Sequence, residues 1–277
     1  MAQSLPDAWS GDRTCFQLFM KPLVIAQITD CHLQNDPQQG YRGLDVEQHL
    51  DLVVDDLLQQ SETIDMILWT GDLVHHGAVR GYQRLSERIS KLPIPSFWIP
   101  GNHDDAELMQ RIGDQAEGSL NQRVVQANDW AIILLDSTSE PDGQGGGSLA
   151  QCELDFLQQQ LRALSDLSCL IVLHHNPVPV ESDWQDQIML GNAEAFWQLL
   201  AAHENVRGVI NGHVHQSKDS DINGVRVMMT PATSVQFKIG CSQFALEDHS
   251  ALQAPAYRLL QLFSGGQIAT SVKRVAG

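Results

Sequence analysis

The sequence predicts an α/β fold with mixed strands, and three observations predict it. Short, branched apolar runs of strand length alternate with amphipathic stretches of helical period. The last third turns to strand-and-turn patterning without a strong helix, and metal-ligating residue types stand directly after five of the apolar runs. Strand then helix, repeated, builds parallel sheet, whereas strands joined by turns add antiparallel pairs.

Element by element, Leu23 to Thr29, Met66 to Thr70, Phe97 to Ile99, Ala131 to Leu135, Leu170 to Leu173 and Val206 to Ile210 have the length and branching of buried strands. Val46, Leu50, Val53, Val54, Leu57 and Leu58 keep a helical period, as do Leu149, Cys152, Phe156, Leu157, Leu161 and Leu164. Val225 to Thr230, Tyr257 to Phe263 and Ile268 to Val275 read as strands with turns between them. No Pro-, Ser- or Gly-rich linker and no internal repeat divides the chain, so residues 1–277 are read as a single domain. Residues 1–20 form either an irregular arm or packing at a subunit edge, and the sequence does not choose.

Charge narrows the function. Asp and Glu number 34 against 17 Lys and Arg, a net −17, which leaves few residues to build the basic face that a nucleic-acid polymer or an anionic membrane needs. The first twenty residues carry Asp7 and Asp12 without a long apolar run, and nowhere do eighteen uncharged apolar residues run together. Five cysteines (Cys15, Cys31, Cys152, Cys169, Cys241) form no CxxC pair and cannot close a full disulfide set. A soluble cytoplasmic protein is expected; the sequence does not indicate a homo-oligomer. Eleven histidines are many for so acidic a chain, and neutral imidazole is the commonest metal ligand.

These histidines gather after the apolar runs. Asp30-Cys31-His32 follows the first, Gly71-Asp72 the second, Gly101-Asn102-His103-Asp104 the third, His174-His175 the fifth and Gly212-His213-Val214-His215 the sixth. In α/β sheets ligands bind outside the carboxyl ends of strands, so residues distant in sequence converge in one crevice. Asp30 and His32 are two apart, as are His213 and His215, and in extended backbone such pairs point to one side. Two Asp, one Asn and four His mix hard oxygen with imidazole donors, which suits Mn, Fe or Zn. Seven ligands are too many for one catalytic ion that keeps positions open, but they suit two ions sharing a bridging carboxylate.

In this order the motifs resemble the calcineurin-like metallophosphoesterase superfamily. The segments His174-His175-Asn176-Pro177-Val178-Pro179, Thr230 to Lys238 and Ala256-Tyr257-Arg258 are similar to the bacterial class III cyclic AMP phosphodiesterases in particular, over residues 22 to 275. The resemblance implies a sandwich of two β-sheets flanked by helices, with two metal ions, Fe and/or Mn, at the strand ends. It implies Asp30, His32 and His215 at one metal, Asn102, His174 and His213 at the other, and Asp72 between them. A hydroxide on such a pair is a competent nucleophile for in-line displacement. By the same resemblance His103 sits over the phosphate, either protonating the departing ribose oxygen or stabilising charge on the phosphoryl oxygens. The residues expected against substrate are His32, Asp72, Asn102, His103 and His215.

The protein phosphatase branch reads Gly-Asp-x-x-Asp-Arg-Gly, whereas this chain reads Gly71-Asp72-Leu73-Val74-His75-His76-Gly77. A phosphomonoester dianion gains from a bidentate guanidinium more than a diester monoanion does, so the missing Arg favours a diester. The expected reaction is hydrolysis of 3',5'-cyclic AMP to 5'-AMP. The alternatives are a phosphodiesterase for 2',3'-cyclic nucleotides or other small diesters, and a non-catalytic metal-dependent nucleotide sensor.

Three further features have plainer readings beside functional ones. His75, His76 and His175 flank the motifs and are read as solvent-facing or as partners of the ligands. Gly143, Gly145, Gly146 and Gly147 lack the Lys and Ser/Thr of a phosphate-binding loop and read as a turn. Trp184 either roofs the site and stacks on a base or packs inward.

Overall fold

A computed structural model describes residues 21–116, 118 and 120–276; the segment 1–20, with the arm or subunit-edge role considered for it, lies outside the described residues. In chain order the elements begin β1 (Leu23–Ile28), α1 (Val46–Gln59), β2 (Met66–Thr70), α2 (Val79–Ile89), β3 (Ser96–Ile99), α3 (Ala106–Gln115), β4 (Val124–Ala127) and β5 (Trp130–Leu134). A two-residue hairpin, β6 (Glu140–Pro141) with β7 (Gly147–Ser148), leads into α4 (Gln151–Ala163), β8 (Ser168–Val172), α5 (Asp183–Asp186), α6 (Ala193–Ala201) and β9 (Val206–Asn211). The chain closes with β10 (Lys218–Ile222), β11 (Val225–Met229), α7 (Ser250–Gln253), β12 (Ala256–Leu262) and β13 (Ile268–Arg274).

Two large mixed sheets result, one ordered β13-β12-β1-β2-β3 and the other β10-β11-β9-β8-β5-β4. β1, β2 and β3 run parallel, as do β5, β8, β9 and β11; β12, β13, β10 and β4 add antiparallel edges. Every residue of β2 and β5 is buried, because each sheet is covered on both faces. Ile25, Leu68, Phe97 and Leu260 of one sheet meet Trp130, Ile132, Leu170 and Ile210 of the other in a shared apolar layer. On the outer faces, Leu50, Val53 and Leu57 of α1 and Leu85 of α2 cover the first sheet, while Leu157 and Leu161 of α4 and Phe196 and Leu200 of α6 cover the second. The architecture is therefore helix, sheet, sheet, helix, as the resemblance implies.

Local signals set several boundaries. Asp45 caps α1 by accepting from the Gln48 amide, and Asp105 caps α3 by accepting from the Leu108 amide, each satisfying an N–H that the helix itself cannot. Past the last residues of β1 and β2 the pairing continues: the amides of Asp30 and His32 donate to the carbonyls of Gly71 and Asp72, at 2.9 Å each. That extension carries Asp30, His32 and Asp72 beyond the sheet as neighbours. Gly71 is required at its position, since it sits at φ +90 and a Cβ there would lie 2.4 Å from His174 Nδ1 and 2.8 Å from Gly101 Cα.

Candidate metal centre

The carboxyl ends of β1, β2 and β3 and those of β8 and β9 open onto one cleft of about 480 Å³. Asp30 and His32 follow β1, Asp72 follows β2, Asn102 and His103 follow β3, His174 follows β8, and His213 and His215 follow β9. All seven residues expected to hold metal meet at this end of the two sheets: His32, Asp72, Asn102, His213 and His215 line the cleft, and the fully buried Asp30 and His174 stand beside them. The His213 amide donates to Asp30 Oδ2 at 3.0 Å, and His174 Nδ1 donates to the Thr70 carbonyl at 2.9 Å.

The backbone differs from the extended form expected for these pairs. Asp30 (φ 54), His32 (φ 50), Asp72 (φ 50), His213 (φ 68) and His215 (φ 52) all occupy the left-handed region, half of the ten non-glycine residues that do so among those described. Each costs about 1 kcal/mol or more, which the surrounding structure must impose. The tight reversal after each strand, rather than strand alternation, aims these side chains into the cleft. Cys31, between two of them, is wholly buried under α1, and that burial pushes its thiol pKa up.

Two clusters contain a carboxylate: Asp30, His32 and His215 have ligand atoms within 4.8 Å of one another, and so do Asp72, His174 and His213; a third, His32, His75 and His103, is imidazole alone. Asp72 Oδ2 lies 3.5 Å from His174 Nε2 and 3.6 Å from His32 Nε2, so one carboxylate faces both clusters. Asn102 Oδ1 is 3.2 Å from His174 Nε2.

The donor chemistry of these rings tests whether a metal fits. A carbonyl can only accept, so His215 carries its proton on Nδ1, 2.6 Å from the Val235 carbonyl, and His174 carries its own on Nδ1. His213 likewise donates from Nε2 to the Ile188 carbonyl at 3.0 Å. In the neutral rings the remaining nitrogens carry lone pairs. His215 Nε2 faces Asp30 Oδ1 at 3.2 Å, an oxygen otherwise without a hydrogen-bond partner, and His174 Nε2 faces the Asn102 and Asp72 oxygens. Acceptor set against acceptor in a buried site is stable only with a cation between them, so the residues fit a metal pair.

The electrostatics agree. Burial holds His32 and His213 well below the ordinary imidazole value, which keeps them in the neutral form that binds metal. Burial also works against charge on His174, but Asp72 outweighs it and raises the ring to about 9; in the metal-free protein a proton serves as the cation there. Burial disfavours a charged Asp72 too, yet the charge and hydrogen bond of His174 hold its carboxyl well below the usual range.

Neighbours fix the ligands. His75 Nδ1 lies 3.2 Å from His32 Nδ1, while His175 meets Ser137 Oγ through Nδ1 at 2.8 Å and approaches the Gly145 carbonyl through Nε2. Asp104 accepts from the amides of Leu73, Val74 and Gly101 and from the Tyr82 hydroxyl, tying the loop after β2 to the loop after β3. Its sequence signal was its place in the Gly-Asn-His-Asp run. The glycine-rich stretch is the β6–β7 turn, closed by Asp142 Oδ1 accepting from Gln144 and Gly146, and it walls one side of the cleft. Trp184 lines the cleft and packs inward, edge-on against Phe237 and Phe244. Tyr41, Arg42, Phe237 and Phe244 complete the wall, and among these only Phe237 belonged to a segment with a sequence signal.

The fold and the site define a metallophosphoesterase, and the comparisons agree: a family model described as calcineurin-like phosphoesterase matches residues 23–217, so the chain belongs to that family. Among its relatives is a protein of Haemophilus influenzae named 3',5'-cyclic adenosine monophosphate phosphodiesterase CpdA, 37% identical over 92% of this chain and 91% of its own. A protein of Pseudomonas aeruginosa with the same name is 35% identical over 91% of this chain and 90% of its own. A Nostoc 3',5'-cyclic-nucleotide phosphodiesterase is 32% identical over 92% and 93%. In fold, the chain is similar to a dimetal phosphatase from Danio rerio, with a TM-score of 0.66 at 15% identity, covering 93% of this chain and 100% of that one. No helix among the described residues is long and apolar enough to cross a membrane.

Proposed function

We propose that this protein hydrolyses 3',5'-cyclic AMP to 5'-AMP at a centre of two metal ions, Fe and/or Mn. The observation that carries the reading is the pair of buried clusters in which imidazole nitrogens converge on carboxylate oxygens, with Asp72 directed at both. Asp30, His32 and His215 would hold one ion, Asn102, His174 and His213 the other, and Asp72 would bridge them. When bound, the ions supply an activated water as nucleophile and neutralise charge on the phosphoryl oxygens.

The chain's own residues do the rest. Backbone carbonyls at Thr70, Ile188 and Val235 fix which nitrogen of His174, His213 and His215 is bare. The His103 amide donates to Asp72 Oδ1 at 2.8 Å, which orients that carboxylate and sets the half-buried His103 ring at the cleft wall, 5.1 Å from the His32 ring. His103 would donate its ring hydrogen to the substrate, acting on a phosphoryl oxygen or on the leaving ribose oxygen. His75 and His76 form a single turn where the phosphatase branch has its Asp and Arg, and that change supports a diester over a monoester. The names of the relatives support cyclic AMP. Unpaired thiols at Cys31, Cys152, Cys169 and Cys241 are compatible with a reducing, cytoplasmic setting.

A panel of 3',5'-cyclic AMP, 3',5'-cyclic GMP, 2',3'-cyclic AMP and an aryl phosphomonoester, assayed with metal-loaded protein, tests this. The expected result is 5'-AMP from 3',5'-cyclic AMP at the highest kcat/KM. Faster cleavage of 2',3'-cyclic AMP would assign the alternative substrate, and cyclic AMP binding without turnover would assign the sensor.

A further inference from the structure

The cleft mouth is a closed arch of flat groups standing on the metal-binding floor. His32 stacks on Tyr41 at 4.3 Å, Tyr41 lies 5.5 Å from the Arg42 guanidinium, and that guanidinium sits 4.7 Å over the Phe244 ring. Phe244 meets Phe237 edge-on at 5.3 Å, Phe237 stacks on His215 at 4.0 Å, and His215 returns to His32 at 5.2 Å. The inner members are buried, but Phe244 is 43% exposed and Arg42 is exposed beside it.

Arg42 is unusual on three counts. Among the described residues it is the only Lys or Arg lining the cleft. No carboxylate among the described residues pairs with it, in a chain with a twofold excess of carboxylates. It also occupies φ 52 in a two-residue turn closed by paired hydrogen bonds between Tyr41 and Leu44, a position that normally takes Asn, Asp or Gly. The turn holds the guanidinium over an open aromatic face, two ring contacts above the His32 that faces the phosphate site.

We propose that Phe244 and Arg42 form the nucleobase subsite: the base stacks on the face of Phe244 where the guanidinium now rests, and Arg42, lifted by one layer, covers the base from solvent. The subsite rests on the cyclic-nucleotide reading and explains how a floor that recognises only phosphate gains a nucleoside. Trp184, packed against both Phe237 and Phe244, braces the stacking face from behind. Stacking on an aromatic or guanidinium plane needs no hydrogen-bond code, so the subsite selects for a base rather than for one base edge.

The test compares 5'-AMP with ribose 5-phosphate as competitive inhibitors of cyclic AMP hydrolysis, since the second lacks only the base. The wild type is expected to bind 5'-AMP about tenfold more tightly than ribose 5-phosphate. F244A and R42A should each remove most of that advantage and leave ribose 5-phosphate unchanged, with F244L and R42K, which keep bulk or charge without the plane, intermediate. Equal weakening of both inhibitors would move Arg42 onto the phosphate and overturn the subsite, as would variants with unaltered inhibition. A metal-loaded wild type that cleaves other diesters but not cyclic AMP would instead overturn the function proposed above, and the subsite with it.

Discussion

Replacing Asp72 with Asn is expected to lower cyclic AMP turnover by ~1,000-fold or more, about 4 kcal/mol of transition-state stabilisation at ~1.4 kcal/mol per decade. The substitution keeps the shape of the side chain, and its remaining oxygen can still accept from the His103 amide, so the loop should stay in place. What disappears is the one negative charge that faces both His32 and His174. With it goes the group proposed to hold the two ions together, so bound metal should fall below two ions per chain. Elemental analysis of the purified variant beside its rate and its urea midpoint separates this from unfolding. An unchanged midpoint with lost metal and lost turnover is the expected outcome; full turnover in the variant would remove Asp72 from the centre.

The His103→Ala substitution should behave differently, lowering kcat by roughly 10²- to 10⁴-fold while leaving metal content unchanged. Burial already holds His103 below the ordinary imidazole value, and nearby metal ions would lower it further, so the neutral ring faces the cleft at neutral pH. A neutral imidazole donates a hydrogen bond to a phosphoryl oxygen more readily than it surrenders a proton to a leaving group. The deficit is therefore expected to be equal for cyclic AMP and for a diester with an activated aryl leaving group. A deficit seen with cyclic AMP alone would assign His103 to protonation of the ribose oxygen.

The parts of this molecule legible in the sequence are those whose physics is local. β2 and β5 are near-continuous apolar runs because both faces are covered, β1 and β8 are nearly so, and β9 keeps enough of the pattern despite its exposed Arg207. α1 keeps a clean period from Val46 to Leu57. The helix α2 is hard to read from sequence because Gly81 and three arginines interrupt its pattern, and the edge strand β10, Lys-Asp-Ser-Asp-Ile, has no apolar face to betray it. The candidate ligands were visible because a strand end followed by Asp or His is a compact signal. Their backbone conformation was not: the left-handed turns at Asp30 and His32 arise where the two sheets meet, and only the assembled fold imposes them. The Ile188 carbonyl that fixes His213, and the Arg42 and Phe244 rim, come from loops that carry no periodicity and reach the cleft only through tertiary packing.

The acidity of the chain, which counts against polyanionic partners, also defines the most direct measurement. Without cations the cleft presents Asp72 to an anionic substrate, with Asp30 buried beneath, so metal should govern binding and turnover together. Titrating Mn or Fe into chelator-stripped protein, while following bound metal, cyclic AMP affinity and 5'-AMP release on one sample, tests this. The account predicts that both affinity and rate rise with occupancy and saturate at two ions per chain. Saturation at a single ion, or 5'-AMP release at full rate from stripped protein, would contradict it.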